Sequence, residues 1–125
     1  MLVDTDVLIW HLRGLPQATR RLDQLPNLTI SAVTWLELLQ GFRSKAEMAA
    51  VQKSFEMRRT QRLPLTPAIT ERATALMEAL SLSDGLQLGD ALIAATALEH
   101  NLILLTGNIK HFVPIESLKI ERFER

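Results

Sequence analysis

The chain has 125 residues, 47% of them hydrophobic, and its 14 Lys and Arg balance its 14 Asp and Glu. That is one domain with room for a real core, too apolar to be disordered and without the overall basic charge of many nucleic-acid binders. Cysteine is absent, which excludes a disulfide framework, a zinc-thiolate site and a thiol nucleophile.

Residues 1–4 read as a short buried strand and 5–13 as a helix closed by Gly14. Pro16 opens a second helix reaching about Leu25. Leu28-Thr29-Ile30 is a second strand after Pro26-Asn27, and a helix follows from Ser31 to Gly41. An amphipathic helix covers 45–59, and Arg62-Leu63-Pro64-Leu65 reads as a short edge strand, where proline is tolerated. Pro67 opens a helix over 67–82, Asp84-Gly85 is a turn, and 87–100 is helical. Leu102–Leu105 and Leu118–Ile120 are the last two strands.

Strands that are continuous apolar runs, separated by helices, imply an α/β fold. The expected architecture is three-layer, α/β/α, with a central mostly parallel sheet and a single domain over 1–125. No apolar run approaches the roughly 20 residues of a membrane helix. The apolar N-terminus has no basic lead-in and is broken by Asp4, so the expectation is a cytoplasmic protein without a leader. With the net charge at zero, any nucleic-acid contact needs a local patch. Arg58, Arg59 and Arg62 are one candidate, and a solvated basic turn is the plainer account of them.

Polar residues fall in apolar surroundings at four places. Asp4 directly follows the first strand, with Asp6 in the first turn of the next helix. Glu37 lies in TWLELLQGF. Thr34-x-x-Glu37 has capping-box spacing, which would tie Glu37 to a backbone N–H, whereas a cap at Ser31 would leave it a carboxylate among large apolar groups. Asp90 opens the nearly all-apolar GDALIAATALEH. A first-turn acid is favoured there in any case, yet Ala94 and Ala97 on its face are small enough to leave open space beside it. Thr106 and Asn108 follow the strand in LILLTGN, either as a Gly107-Asn108 turn or at the carboxyl edge where parallel sheets collect ligands. Carboxylates gathered at one rim with no basic residue beside them repel unless a cation sits among them. Hard oxygen donors suit Mg²⁺ or Mn²⁺. On this reading Asp4 is a metal ligand delivered by a strand end.

With these residues in place, the chain resembles the PIN-domain family, in particular the VapC-type toxins of bacterial toxin–antitoxin pairs. LVDTDVLIWHL resembles the family's opening strand and Asp-Thr turn, SAVTWLELLQG its glutamate helix, GDALIAATALEHNLILLT its second-aspartate helix and following strand, and TGNIKHF its final acidic loop. The resemblance implies an Mg²⁺- or Mn²⁺-dependent endoribonuclease. Asp4, Glu37 and Asp90 form its acidic triad, Asp4 and Asp90 are the metal ligands, and Glu37 acts through water. Thr5 and Thr106 line the site. Many relatives carry an aspartate in the last loop, where this chain has Asn108 and then His111. Asn108 joins the catalytic set, and His111 is expected to be a turn or surface histidine. The implied partners are an RNA substrate, a cognate antitoxin segment over helices 16–25 and 45–59, and a second copy in a homodimer.

Two other readings are open. Asp4-Thr5-Asp6 resembles the start of haloacid-dehalogenase-type phosphatases, whose first aspartate is phosphorylated. Leu8 departs from that motif, and no lysine with paired aspartates follows. The alternative is a non-catalytic partner- or RNA-binding scaffold.

Overall fold

Strands and helices alternate in the computed structural model, which describes residues 1–125. In chain order they are β1 (Leu2–Val3), α1 (Thr5–Leu12), α2 (Pro16–Asp23), β2 (Thr29–Ser31), α3 (Ala32–Gly41), α4 (Lys45–Met57), β3 (Gln61–Leu63), α5 (Pro67–Asp84), α6 (Leu88–Glu99), β4 (Leu104–Thr106), α7 (Ile109–Phe112) and β5 (Ile120–Arg122). The strands form two parallel ladders, β1-β4-β5 and β2-β3. The expected α/β/α layering is present, with β1 and β4 in the middle.

Register explains the layers. Leu2 pairs with Leu104, and Val3 with Leu105. Successive strand residues point to opposite faces, so Leu2 and Leu104 join one core with Ile69, Ala73, Ile93 and Phe112, from the α5–α6–α7 side. Val3 and Leu105 join the other with Val7, Leu22, Trp35 and Phe55, from α1 to α4. Strand residues buried on both faces of a sheet are apolar, as Leu2, Val3, Leu104 and Leu105 are.

Local chemistry sets the helix ends. Asp4, Ser31, Ser44 and Thr66 are N-caps whose side chains accept backbone N–H bonds, and Pro67 occupies the first turn of α5. Each cap contributes about 1 kcal/mol. Gly85 closes α5 in the left-handed region at φ 68°, which a side chain would disfavour.

The structure departs from expectation in several places: β3 is Gln61–Leu63, which leaves Pro64 outside the strand, and α5 runs on through Asp84. β4 starts two residues later and ends one residue later than predicted, so Thr106 is its last residue rather than the one after it. The final strand begins at Ile120, because Leu118 is spent in the core as a loop residue. The short helix α7 over the TGNIKHF loop was not expected. Its Phe112 is fully buried and anchors the loop from below.

Candidate active site

β1 ends at Val3, and the chain turns at Asp4 directly into α1. The Asp4 side chain is held on both oxygens: Oδ1 accepts from Thr5 N–H at 2.8 Å, and Oδ2 accepts from Thr106 Oγ1 at 2.8 Å. Asp4 is 4% exposed. Burial pushes its carboxyl up to about 7, and the charges of Asp6 and Asp90 add to the rise, while the hydrogen bonds from Thr106 and Thr5 oppose it.

Asp6 is a first-turn acid of α1, as its position predicts, but it also ties two strand ends together. Its Oδ2 accepts from Gly107 N–H at 2.9 Å. A Cβ at Gly107 would stand 2.8 Å from that oxygen, so glycine permits the approach. Sequence reasoning left Asp6 out of the site. The Asp-x-Asp spacing and the glycine after Thr106 were the available signals.

Ser31 caps α3 by accepting from Val33 N–H, so the Thr34–Glu37 capping box does not form. Glu37 is exposed rather than enclosed by apolar groups; those occupy the other sides of α3. It accepts a 2.7 Å bond from Thr5 Oγ1, whose oxygen also lies 3.0 Å from the buried Thr34 hydroxyl. Thr34, like Asp6, was missed as part of this network. Glu37 Oε2 rests against Gly89, where a Cβ would lie 3.3 Å away.

Asp90 lies in the first turn of α6. Burial raises its carboxyl pKa; the nearby His111 opposes that rise, and Glu37 and Asp6 reinforce it. Ala94 and Ala97, on the same face of α6, are fully buried in the core. His111 is half-exposed and does not merely decorate the surface: its Nδ1 is 3.2 Å from Asp90 Oδ2. Asn108 caps α7 at the rim, where its N–H donates to Thr106 Oγ1 at 3.0 Å and its amide makes no hydrogen bond within the chain.

Asp4, Asp6, Glu37 and Asp90 thus meet at the carboxyl edge of β1 and β4. None forms an ion pair with lysine or arginine. No three Asp, Glu or His side chains close up as a finished ligand cluster. The donor set still fits a hard divalent ion, since Mg²⁺ keeps several waters and needs one or two carboxylates directly. Burial raises the carboxyl pKa of both Asp4 and Asp90, and the charge of Asp90 adds to the rise at Asp4.

Fold and site define a class: an α/β domain with an acidic, cation-seeking centre at the carboxyl edge of a parallel sheet. The family model described as PIN domain matches residues 1–113, and the chain belongs to the PIN-domain family. It is 42% identical over 123 residues to Ribonuclease VapC10 of Mycobacterium tuberculosis, covering 95% of this chain and 90% of that one. It is 33% identical over 120 residues to Ribonuclease VapC19 of the same organism, covering 89% and 90%. A solved toxin-antitoxin complex from Klebsiella pneumoniae superposes with a TM-score of 0.82 at 29% identity, covering 99% of this chain and 98% of that one.

Proposed function

We propose that this chain is a divalent-cation-dependent endoribonuclease of the VapC type, the toxin of a toxin–antitoxin pair. The observation that carries the reading is Asp4: buried, flanked by Asp6 and Asp90, and without any lysine or arginine to neutralise it. Relatives across nearly the whole chain are named ribonucleases, which supports RNA as the substrate.

Asp4 and Asp90 would hold Mg²⁺ or Mn²⁺. When bound, such an ion makes a water more acidic and neutralises charge developing on the phosphoryl oxygens. Thr106 and the Thr5 N–H fix the direction of the Asp4 oxygens. Thr5 holds Glu37 by one oxygen and leaves the other at the rim to accept a proton from the attacking water. Asn108 presents its free amide to the substrate's phosphate. The test is cleavage of total RNA with Mg²⁺ or Mn²⁺, beside a chelator control and Asp90→Asn. Losing one of two cation-holding carboxylates should lower the rate by about 10³-fold, some 4 kcal/mol of barrier. A folded Asp90→Asn chain that cuts at full rate overturns the reading.

The antitoxin would lie as an amphipathic segment in a hollow of about 460 Å³ between α1, α3 and α4, walled by Ile9, Leu12, Leu38, Phe42 and Val51 with Arg13 and Arg43 at its edge. The expected surface over 45–59 is thus partly used, but Phe55 is buried in the core, and α2 turns Ala18 and Leu22 inward. A homodimer would cover the exposed Leu82 and Leu88 near the α5–α6 turn. No helix is long and apolar enough to cross a membrane, and a cytoplasmic location accords with RNA as substrate.

A further inference from the structure

Two members of the candidate basic cluster in the sequence are committed elsewhere, while the third, Arg59, is exposed and forms no ion pair. Arg58 is paired with Asp23 at 2.9 Å, and the Arg62 guanidinium stacks 5.2 Å from the centre of the Trp35 ring. Other cations without an ion-pair partner lie beside the acidic centre. Thr106 and Arg122 are register partners on β4 and β5, so their backbones are one strand spacing apart, ~4.8 Å. Arg122 therefore stands next to the residue that holds Asp4.

Arg122 lines two hollows. One, about 340 Å³, is walled by Gly107, Asn108, Lys110 and Arg122. It begins at the glycine whose N–H binds Asp6. The second, about 220 Å³, continues from Arg122 to Arg20, with the Gln17 and Gln24 amides on its wall and Glu124 as its carboxylate. Lys110, Arg122 and Arg20 form no ion pair. All three are exposed. On a chain of zero net charge, three cations without ion-pair partners, set along two hollows that share Arg122, are a local positive track leading away from a negative site.

We propose that this track, from Lys110 through Arg122 to Arg20, binds the phosphodiester backbone of the RNA strand flanking the cleaved bond. The assignment rests on the ribonuclease reading and adds to it the path of the strand. The acidic centre repels the polyanion it must act on, and cations one strand away hold the flanking phosphates while the scissile one is brought in. Backbone contacts of this kind carry no sequence preference and position the strand.

The probe is a fluorescein-labelled single-stranded RNA of mixed sequence, about a dozen nucleotides long. Its anisotropy is followed with the full chain in chelator, so that nothing is cut, over a range of salt concentrations. Arg122→Ala, Lys110→Ala and Arg20→Ala, each folded by circular dichroism, should weaken binding about 3- to 10-fold and lower the salt slope by about 0.7 each. Arg59→Ala, an exposed arginine away from the track, should change neither. With Mn²⁺ present, Arg122→Ala should raise KM and leave kcat near wild type. The track is overturned if Arg122→Ala and Lys110→Ala bind as wild type does, or if Arg59→Ala weakens binding equally. If wild type still cuts RNA in that event, the ribonuclease reading survives without the track. Wild type that neither binds nor cuts the probe or total RNA overturns both.

Discussion

At the surface Asp23 lies 2.9 Å from Arg58, Glu99 2.6 Å from Arg72 and Glu121 2.6 Å from Arg21. At the strand ends Asp4, Asp6 and Glu37 have hydroxyl and backbone N–H donors alone, and Asp90 has one imidazole. The chain has arginines enough to neutralise both groups and uses them on the first. A surface pair is screened by water and changes stability little. A buried unpaired carboxylate is costly, and it persists where its charge meets something from outside the chain. The contrast sets the strand-end carboxylates apart as the group with no lysine or arginine partner inside the chain.

Removing the buried charge should produce the largest effect. The Asp4 carboxyl is raised from 3.8 to about 7 in the folded chain. Below about pH 4 both folded and unfolded chains hold the proton, and Asp4 costs nothing. As pH climbs toward 7 the unfolded chain releases the proton and the folded chain keeps it, so stability falls. Above 7 the loss is complete, on the order of 4 kcal/mol. Without divalent ions, Asp4→Asn should therefore be more stable than wild type at about pH 8 by up to that amount, and the gap should close toward pH 4. Urea melts at the two pH values measure it, and added Mn²⁺ should shrink the gap at pH 8. A gap that does not vary with pH would remove the contrast between the two groups of carboxylates.

A smaller effect is expected at Thr106→Val, which keeps the shape and removes the hydroxyl bonded to Asp4. A hydrogen bond to a charged group contributes about 1.5–3 kcal/mol. Its loss should raise the Asp4 carboxyl pKa further and weaken Mn²⁺ binding about tenfold by calorimetry at neutral pH. Unchanged Mn²⁺ affinity would mean that the hydroxyl does not orient Asp4 for a cation. The smallest belongs to the surface pairs. Arg58→Ala breaks the contact with Asp23, and its melting should show a loss of no more than about 1 kcal/mol. RNA cleavage by Arg58→Ala should match wild type, and a large drop would place Arg58 in the substrate path.

How much of the site was legible depended on how each residue is held. Asp4 was readable because a strand end and an N-cap coincide there. Asp90 was readable as a carboxylate at the start of an apolar helix. The capping choice at α3 stayed open in sequence because Ser31 and Thr34 both suit it. The fold selects Ser31, since β2 runs straight into the helix and Thr34 is needed under Thr5. The histidine of the last loop looked ordinary until α7, an element too short to announce itself by periodicity, carried it to Asp90.

The sequence by itself determined the order of strands and helices, the parallel character of the sheet, most helix starts and the identity of the acids. These follow from apolar runs, caps and turn residues, all of which act within a few positions. Tertiary structure alone decided which donors face those acids and where the free cations lie. Thr106 reaches Asp4 across 102 residues, Gly107 reaches Asp6 across 101, and Arg122 stands beside Thr106 through strand register. Such meetings are set by how β1, β4 and β5 align, a property of the packed sheet that no local pattern encodes.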